Sequence, residues 1–193
     1  MELLKQAICQ RGKVKGADVL KVDTFLNHQL DITLLNEIGE EFARRFAGLG
    51  VNKILTIEAS GIAIAAITAQ HFNNVPVVFA KKAKSKNLDG ELLTTKITSF
   101  THDYTYDVTV AKKFLNPGDR VLILDDFLAK GNALLGLIDL VEQSGAELVG
   151  CGIVIEKSFD IGACLVRSRG VKVESLAQIE KMNEHEIIFK DEQ

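Results

Sequence analysis

Residues 121–133 read VLILDDFLAKGNA and contain the clearest structural signal in the chain. The first four residues are all branched and apolar, which predicts a strand buried on both faces, as in a parallel sheet. Asp125 and Asp126 follow where that strand is expected to end, and a short loop containing Gly131 comes next. Apolar residues at helical spacing then predict a helix from about Asn132 to Ser144.

This order of strand, loop and helix predicts a site for a sugar phosphate. Free backbone N–H groups and the positive end of a helix dipole meet at such a loop and bind phosphate. Asp125 and Asp126 lie beside the loop and can hold sugar hydroxyls or a magnesium ion. A phosphate site next to a diol site indicates a ribose phosphate. On pattern alone, a solvated turn in which Gly131 only supplies a positive φ is an equal alternative.

The whole chain has the size and composition of one globular domain. It has 193 residues, of which 47% are hydrophobic and 25% charged. The net charge of −3 gives no overall attraction to nucleic acid, and no apolar run is long enough to cross a bilayer. Cys9, Cys151 and Cys164 are scattered without metal-ligand spacing, which predicts reduced thiols in a cytoplasmic protein. We therefore expect neither a nucleic-acid partner nor a membrane partner.

Predicted strands and helices alternate along the chain, which indicates an α/β fold with a mostly parallel sheet between helices. Besides residues 121–124, strands are predicted at 53–58, 75–80, 148–156 and, last, 171–175. In such folds the ligand binds outside the carboxyl ends of the strands. The segments at those ends are Glu58-Ala59-Ser60-Gly61, Lys81-Lys82, Asp125-Asp126 and Lys157.

A hairpin is predicted between two of these strands. Residues 92–100 and 104–112 alternate apolar and polar side chains about a turn at 101–103. With the basic run at 81–86, this excursion forms a candidate flap over the site, at about residues 84–113. An edge pair of strands or a dimer contact is an equal alternative.

The stretch 121–133 resembles the phosphoribosyl-pyrophosphate (PRPP) motif of the type I phosphoribosyltransferases. That motif has two acidic residues, a few apolar ones, then Thr-Gly and a small or hydroxyl residue; here Lys130 replaces the Thr and Ala133 a second hydroxyl. The resemblance implies the fold of that family, with the flap hairpin and a small hood formed near residues 1–30 and 157–193. It also implies catalytic roles for Asp125 and Asp126. The residues that it implies for PRPP binding are Ala129, Lys130, Gly131, Asn132 and Ala133.

The same resemblance implies that Ser60 and Lys82 meet the pyrophosphate. Alone, each signal is weak, because Ser-Gly before a helix is usually an N-cap and a charge run is usually a solvated loop. The resemblance further implies Mg²⁺ that binds together with PRPP or pyrophosphate, with no direct protein ligand.

Two more segments resemble the bacterial members of this family that use xanthine. They are residues 20–29, LKVDTFLNHQ, and residues 155–159, IEKSF, and the likeness extends over about residues 18–181. It implies that Leu20, Asn27 and Lys157 contact xanthine, that the product is xanthosine 5′-monophosphate in purine salvage, and that the enzyme is a homodimer. Independently, a lysine at this edge can donate to a ring oxygen, which favours an oxopurine.

Three alternatives remain open from the sequence. The enzyme could use another purine base, adenine or guanine, or the chain could be a regulatory protein that binds PRPP without catalysis. A phosphate-accepting signalling domain is less favoured, because its acidic pair is expected after the first strand. His28 and His102 are not assigned as general bases, since neither has a visible partner. Phe159 is expected in the apolar core rather than stacked on the base.

Overall fold

A computed structural model of the chain describes residues 1–16, 18–82, 90–99 and 104–190. The predicted hairpin turn with His102, and most of the basic run at 81–86, lie outside the described residues. The helices are α1 Glu2–Arg11, α2 Ile32–Arg45, α3 Ser60–Gln70, α4 Asn132–Ser144 and α5 Gly162–Arg167. The strands are β1 Lys13–Lys15, β2 Val19–Lys21, β3 Lys53–Ile57, β4 Val77–Ala80, β5 Leu92–Ser99, β6 Tyr104–Ala111, β7 Arg120–Leu128, β8 Glu147–Lys157, β9 Val173–Met182 and β10 Ile187–Phe189.

Within these ranges the central sheet has the strand order β10-β9-β8-β7-β3-β4. Neighbouring strands are parallel throughout except for β10, which pairs antiparallel with β9. The predicted mostly parallel α/β sheet is therefore confirmed. β10 was not predicted, and β9 extends beyond the predicted end at Ser175.

Strand β7 forms the middle of the core, as its sequence predicts. Residues 121–124 are all fully buried, because both faces of the sheet are covered by helices. Phe42 and Ile64 belong to the apolar cluster on one face, and Leu137 and Ile138 to the cluster on the other. None of the described helices has the length and hydropathy that a membrane span requires.

The predicted end of β7 is wrong. The strand continues through Asp125 and Asp126 to Leu128, because β8 pairs with it along this whole length. Asp125 lies opposite Ile153 and Leu128 lies opposite Glu156. The two carboxylates are therefore held by a regular strand, not by a loose turn.

The predicted hairpin exists in its two strands and is docked on α4. β5 and β6 pair antiparallel, with Leu93 opposite Val110. Gly136 allows close approach, since a Cβ there would lie 2.7 Å from the Ile97 side chain. The Gln143 side-chain amide donates to the Thr94 carbonyl oxygen at 3.1 Å. The stem of the hairpin is thus fixed to a core helix, and its role as a flap stays a prediction.

The N-terminus packs at the β9 side of the sheet, and the assignment of a hood stays a prediction. The amino group of Met1 donates to the carbonyl oxygen of Leu176 at 2.6 Å. β1 and β2 form a small antiparallel pair, and a π-helical turn at Asp23–Asn27 follows. Helix α2 then begins where Asp31 accepts a hydrogen bond from the Leu34 N–H at 3.2 Å. This N-terminal segment carries Leu20 and Asn27 toward the carboxyl ends of the strands.

Candidate active site

The acidic pair on β7 is buried and joined to the N-terminal segment. Asp125 and Asp126 are 5% and 9% exposed. The Asn27 side-chain amide donates to Asp126 Oδ2 at 3.1 Å, although the two residues are 99 positions apart. Burial raises the pKa of Asp125 well above its usual range, and the neighbouring Asp126 charge raises it further. The structure therefore unites a predicted catalytic carboxylate with a predicted base-binding amide.

The predicted anion loop lies between β7 and α4. Gly131 has φ of +87° and directly precedes the first helical residue, Asn132, so a glycine is required there. The first N–H groups of an α-helix have no partner within the helix, and they point out of its N-terminus. The loop therefore offers backbone donors for a phosphate, as the sequence predicts.

Two side chains of the loop are already engaged. Lys130 forms an ion pair with Asp160, and the Asn132 side-chain amide donates to the Thr98 carbonyl oxygen at 2.7 Å. The partner of Lys130 follows β8, and the partner of Asn132 belongs to the hairpin. Backbone amides are thus the donors that the loop presents, while its side chains connect it to its neighbours.

Helix α5 begins in direct backbone contact with this loop. The Gly162 N–H donates to the Ala129 carbonyl oxygen at 2.9 Å. A Cβ on Gly162 would lie 2.3 Å from that oxygen and 2.5 Å from the Gly131 nitrogen. Only glycine fits at this position without moving the loop.

We expect Gly162→Ala to weaken PRPP binding more than base binding. The added methyl group meets backbone atoms that cannot rotate away, so the loop must shift. The KM for PRPP should rise by about tenfold or more, since a misplacement near 1 Å is this costly in enzyme sites. Steady-state kinetics with each substrate varied measures the effect. An unchanged KM for PRPP would show that the contact is not part of the site.

Lys157 is the last residue of β8 and lies beside the same loop. It is half-buried, its ammonium donates to the Asp18 carbonyl oxygen, and it lies 5.8 Å from the centre of the Phe127 ring. Burial lowers the pKa of Lys157, and although Asp160 and Asp18 act in the opposite direction, the net pKa is below the usual value. Phe127 directly follows the acidic pair, so Lys157 lies near this end of β7, and its contact with the base stays a prediction.

A buried network behind Lys157 was missed by sequence reasoning. Glu156 is 1% exposed, and it accepts hydrogen bonds from Arg167 at 2.8 Å, Ser175 at 2.6 Å and Ser158 at 2.7 Å. Burial alone would raise the pKa of Glu156, but these partners outweigh it and the pKa is lowered. The network ties the end of β8, where Lys157 is the last residue, to α5 and β9.

We expect Glu156→Gln to lower the free energy of unfolding by about 1–3 kcal/mol near neutral pH, because a buried charged acceptor is lost. A carboxyl whose pKa is lowered on folding stabilises the protein above its ordinary value of 4.5, and this contribution is lost as the pH falls through the folded value. The difference between variant and wild type should therefore shrink below that pH. Urea unfolding of the variant and the wild type, near neutral pH and again below the folded pKa of Glu156, measures this difference. A difference independent of pH would contradict this assignment.

The predicted pyrophosphate residues come together at the adjoining strand ends. Ser60 is the first residue of α3, just after β3. The Lys82 backbone N–H donates to Glu58 Oε1 at 2.6 Å, which joins the ends of β3 and β4. The Lys82 charge also acts to lower the pKa of Asp125, although less strongly than burial and Asp126 raise it. Lys82 thus lies within electrostatic reach of the acidic pair, and the contact of Ser60 and Lys82 with pyrophosphate stays a prediction.

Two apolar residues near the candidate site, Leu20 and Phe159, differ in their exposure. Leu20 is 7% exposed and packs in the apolar core, so its contact with the base stays a prediction. Phe159 is 43% exposed rather than buried, so the expectation of a core position is wrong. It lies in the turn after β8, where no helix covers it.

The donor set fits a magnesium ion that arrives with its substrate. The described part of the chain has no group of three or more His, Cys, Asp or Glu side chains placed to hold a metal. Mg²⁺ usually keeps several waters and uses one or two carboxylates together with substrate phosphates. An ion held by waters and by the phosphates of its substrate needs no direct protein ligand at this site.

Comparison with known proteins gives the family. A family model described as Phosphoribosyl transferase domain matches residues 21–185. Xanthine phosphoribosyltransferase from Lachnoclostridium phytofermentans is 60% identical, over 98% of each chain. Xanthine phosphoribosyltransferase 1 from Clostridium perfringens is 58% identical, over 98% of this chain and 100% of its own. A solved adenine phosphoribosyltransferase from Rhodothermus marinus has a TM-score of 0.69 at 27% identity, over 92% of this chain and 97% of its own. The chain therefore belongs to the phosphoribosyl transferase domain family.

Proposed function

We propose that this enzyme transfers the phosphoribosyl group of PRPP to xanthine, giving xanthosine 5′-monophosphate and pyrophosphate in purine salvage. The observation that carries the proposal is the 3.1 Å hydrogen bond from the Asn27 side-chain amide to Asp126, which joins a predicted base-binding residue to the acidic pair on β7. The similarity to two xanthine phosphoribosyltransferases at 60% and 58% identity supports xanthine as the base.

The base site reads an oxopurine through complementary hydrogen bonds. Lys157 donates only, so it suits a ring oxygen or an anionic base, whereas adenine would offer an amine that needs an acceptor. Asn27 both donates and accepts, which suits a ring edge that presents both kinds of group. Because Lys157 is half-buried, its charge is poorly screened and the discrimination is stronger than at an exposed site.

The phosphoribosyl site stabilises charge on both sides of the bond that breaks. Departure of pyrophosphate leaves positive charge on the ribose ring, as in glycoside cleavage. Asp125 and Asp126 orient the ribose hydroxyls and favour that charge, while the amides of residues 129–133 hold the 5′-phosphate. Lys82 and the start of α3 face the leaving group. Magnesium bound with PRPP, without a direct protein ligand, would supply further neutralisation of the pyrophosphate charge.

Product formation tests the proposal directly. With xanthine, PRPP and Mg²⁺, we expect equal amounts of xanthosine 5′-monophosphate and pyrophosphate at many turnovers per enzyme. Tight PRPP binding without product would instead favour the regulatory protein, and product only with another base would change the substrate.

We also propose that the enzyme works as a cytoplasmic homodimer without a nucleic-acid or membrane partner. The net charge of −3 supports the expectation of no nucleic-acid partner. Light scattering of the purified protein measures the mass of the assembly. A monomer at assay concentration would contradict the dimer.

A further inference from the structure

The turn after β8 and the phosphate loop are docked on each other through their backbones. The Asp160 N–H donates to the Lys157 carbonyl oxygen at 3.0 Å, which closes the turn. Two residues later the Gly162 N–H donates to the Ala129 carbonyl oxygen at 2.9 Å. The residue proposed to read the base and the loop proposed to bind the 5′-phosphate are therefore parts of one packed unit.

One side chain connects the two parts electrostatically. The Asp160 carboxylate forms an ion pair with Lys130, and their side chains are 11% and 51% exposed. The carboxylate thus lies inside the contact, and the lysine covers it from solvent. Because little water reaches Asp160, its charge is poorly screened, and it acts on Lys157 as well.

Asp160 therefore pairs with Lys130 through its carboxylate and is joined to Lys157 through the hydrogen bond that closes the turn. Lys130 belongs to the loop that meets a phosphate, and Lys157 ends the strand that meets the base. The charged groups that act on Lys157 are Asp160, Asp18 and Lys130. A phosphate that binds at the loop attracts Lys130 and weakens its ion pair with Asp160. This changes how strongly the Asp160 charge acts on Lys157.

We propose that Asp160 is a positioning residue that couples the 5′-phosphate loop to base recognition, by holding Lys130 on one side and orienting Lys157 on the other. The proposal rests on the proposed function, because it assigns the base site to Lys157. Asp160 itself touches neither substrate. The proposal also gives a role to Lys130, which stands where the family usually has threonine.

Asp160→Asn tests the proposal, because it keeps the size of the side chain and removes the charge. We expect the KM for xanthine to rise by about tenfold, within the usual range of coupling between sites, with kcat changed by less than about threefold. The KM for PRPP should stay the same or fall, since Lys130 is released toward the phosphate. Asp160→Glu should restore most of the xanthine affinity.

The matched control is Asp119→Asn, which breaks the ion pair of Asp119 with Lys53. This pair lies where β3 and β7 begin, at the edge of the sheet away from the candidate site. This control should leave both KM values unchanged, and its melting temperature shows what loss of such a pair does to stability. A structural defect would raise both KM values of Asp160→Asn together. That result, or a wild-type KM for xanthine, would overturn the proposal.

A pH profile separates positioning from mere packing. Asp160 favours the charged form of Lys157, so its loss should move the alkaline limb of kcat/KM for xanthine to lower pH. The same profile in wild type and Asp160→Asn would count against the coupling.

Lys130→Met gives an independent test should Asp160→Asn fold poorly. It should raise the KM for xanthine by about threefold or more although Lys130 lies in the phosphate loop. In the double variant with Asp160→Asn and Lys130→Met, the two increases in the KM for xanthine should not multiply, because both act through Asp160. Fully multiplicative effects, or no effect of Lys130→Met on xanthine, would refute the proposal. A wild-type enzyme that makes no product from xanthine would instead refute the proposed function.

Discussion

Replacing both Asp125 and Asp126 by asparagine should lower kcat by roughly a thousandfold or more, while the protein stays folded. Asparagine keeps the shape of each side chain but removes the negative charge that favours a cationic ribose ring. Both residues are buried on β7, where bulk water cannot replace the lost charge. Single-turnover kinetics with saturating PRPP measures the chemical step. Near-normal rates in the double variant would defeat the assignment of the acidic pair.

The thermal stability of the double Asp125→Asn, Asp126→Asn variant serves as a control for its folding. Folding raises the pKa of Asp125 above its ordinary 3.8, through burial first and the Asp126 charge second. A carboxyl of this kind stabilises the fold fully below its unfolded pKa, and that contribution is lost as the pH rises through the folded pKa. Asparagine cannot ionise, so the variant escapes this loss. Its melting temperature relative to wild type should therefore increase from about pH 5 to about pH 8.

A variant that loses activity and also melts lower at the higher pH would show that the carboxylates support the fold rather than the chemistry. Asp139→Asn on α4 serves as the matched control, because it removes a carboxylate that is not buried in the sheet. Its kcat should match that of the wild type.

Lys157→Ala should lower kcat/KM for xanthine by about a hundredfold, because a charged hydrogen bond to the base is worth about 1.5–3 kcal/mol. The loss should be smaller for guanine and hypoxanthine, and turnover of adenine should not fall. Initial rates with all four bases, each with PRPP and Mg²⁺, measure this change of preference.

Two further variants separate charge from packing at this position. Lys157→Met keeps the apolar stem that lies near the Phe127 ring but removes the donor, so it should resemble Lys157→Ala. Lys157→Arg keeps the charge with a different shape and should fall between Met and wild type. An equal loss for all four bases in these variants would mean that Lys157 supports the fold and does not read the base.

The centre of the fold could be predicted because its signal is local. Four consecutive branched residues before Asp125, and a glycine before Asn132, define a buried strand and the start of a helix by themselves. The end of β7 could not be predicted, because it depends on pairing with β8, which a single segment does not reveal. β10 is only Ile187–Phe189 and lies at the sheet edge, which is too short for a periodic pattern.

The candidate site was predicted in its parts but not in its connections. The acidic pair, the loop and Lys157 lie at or near the carboxyl ends of β7 and β8, so the rule for parallel sheets places them at one edge. The contacts of Lys130 with Asp160 and of Glu156 with Ser175 join residues 30 and 19 positions apart. Side chains paired at such distances leave no spacing pattern, and only the folded chain reveals them. The choice of base came from resemblance, since one lysine at a strand end fits several oxopurines.

A crystal structure with xanthosine 5′-monophosphate bound would test the proposed site. We expect the phosphate on the backbone N–H groups of residues 129–133, the ribose hydroxyls on Asp125 and Asp126, and a base oxygen within hydrogen-bonding distance of Lys157 Nζ. A nucleotide bound with its base away from Lys157, or with its phosphate outside the loop before α4, would contradict it.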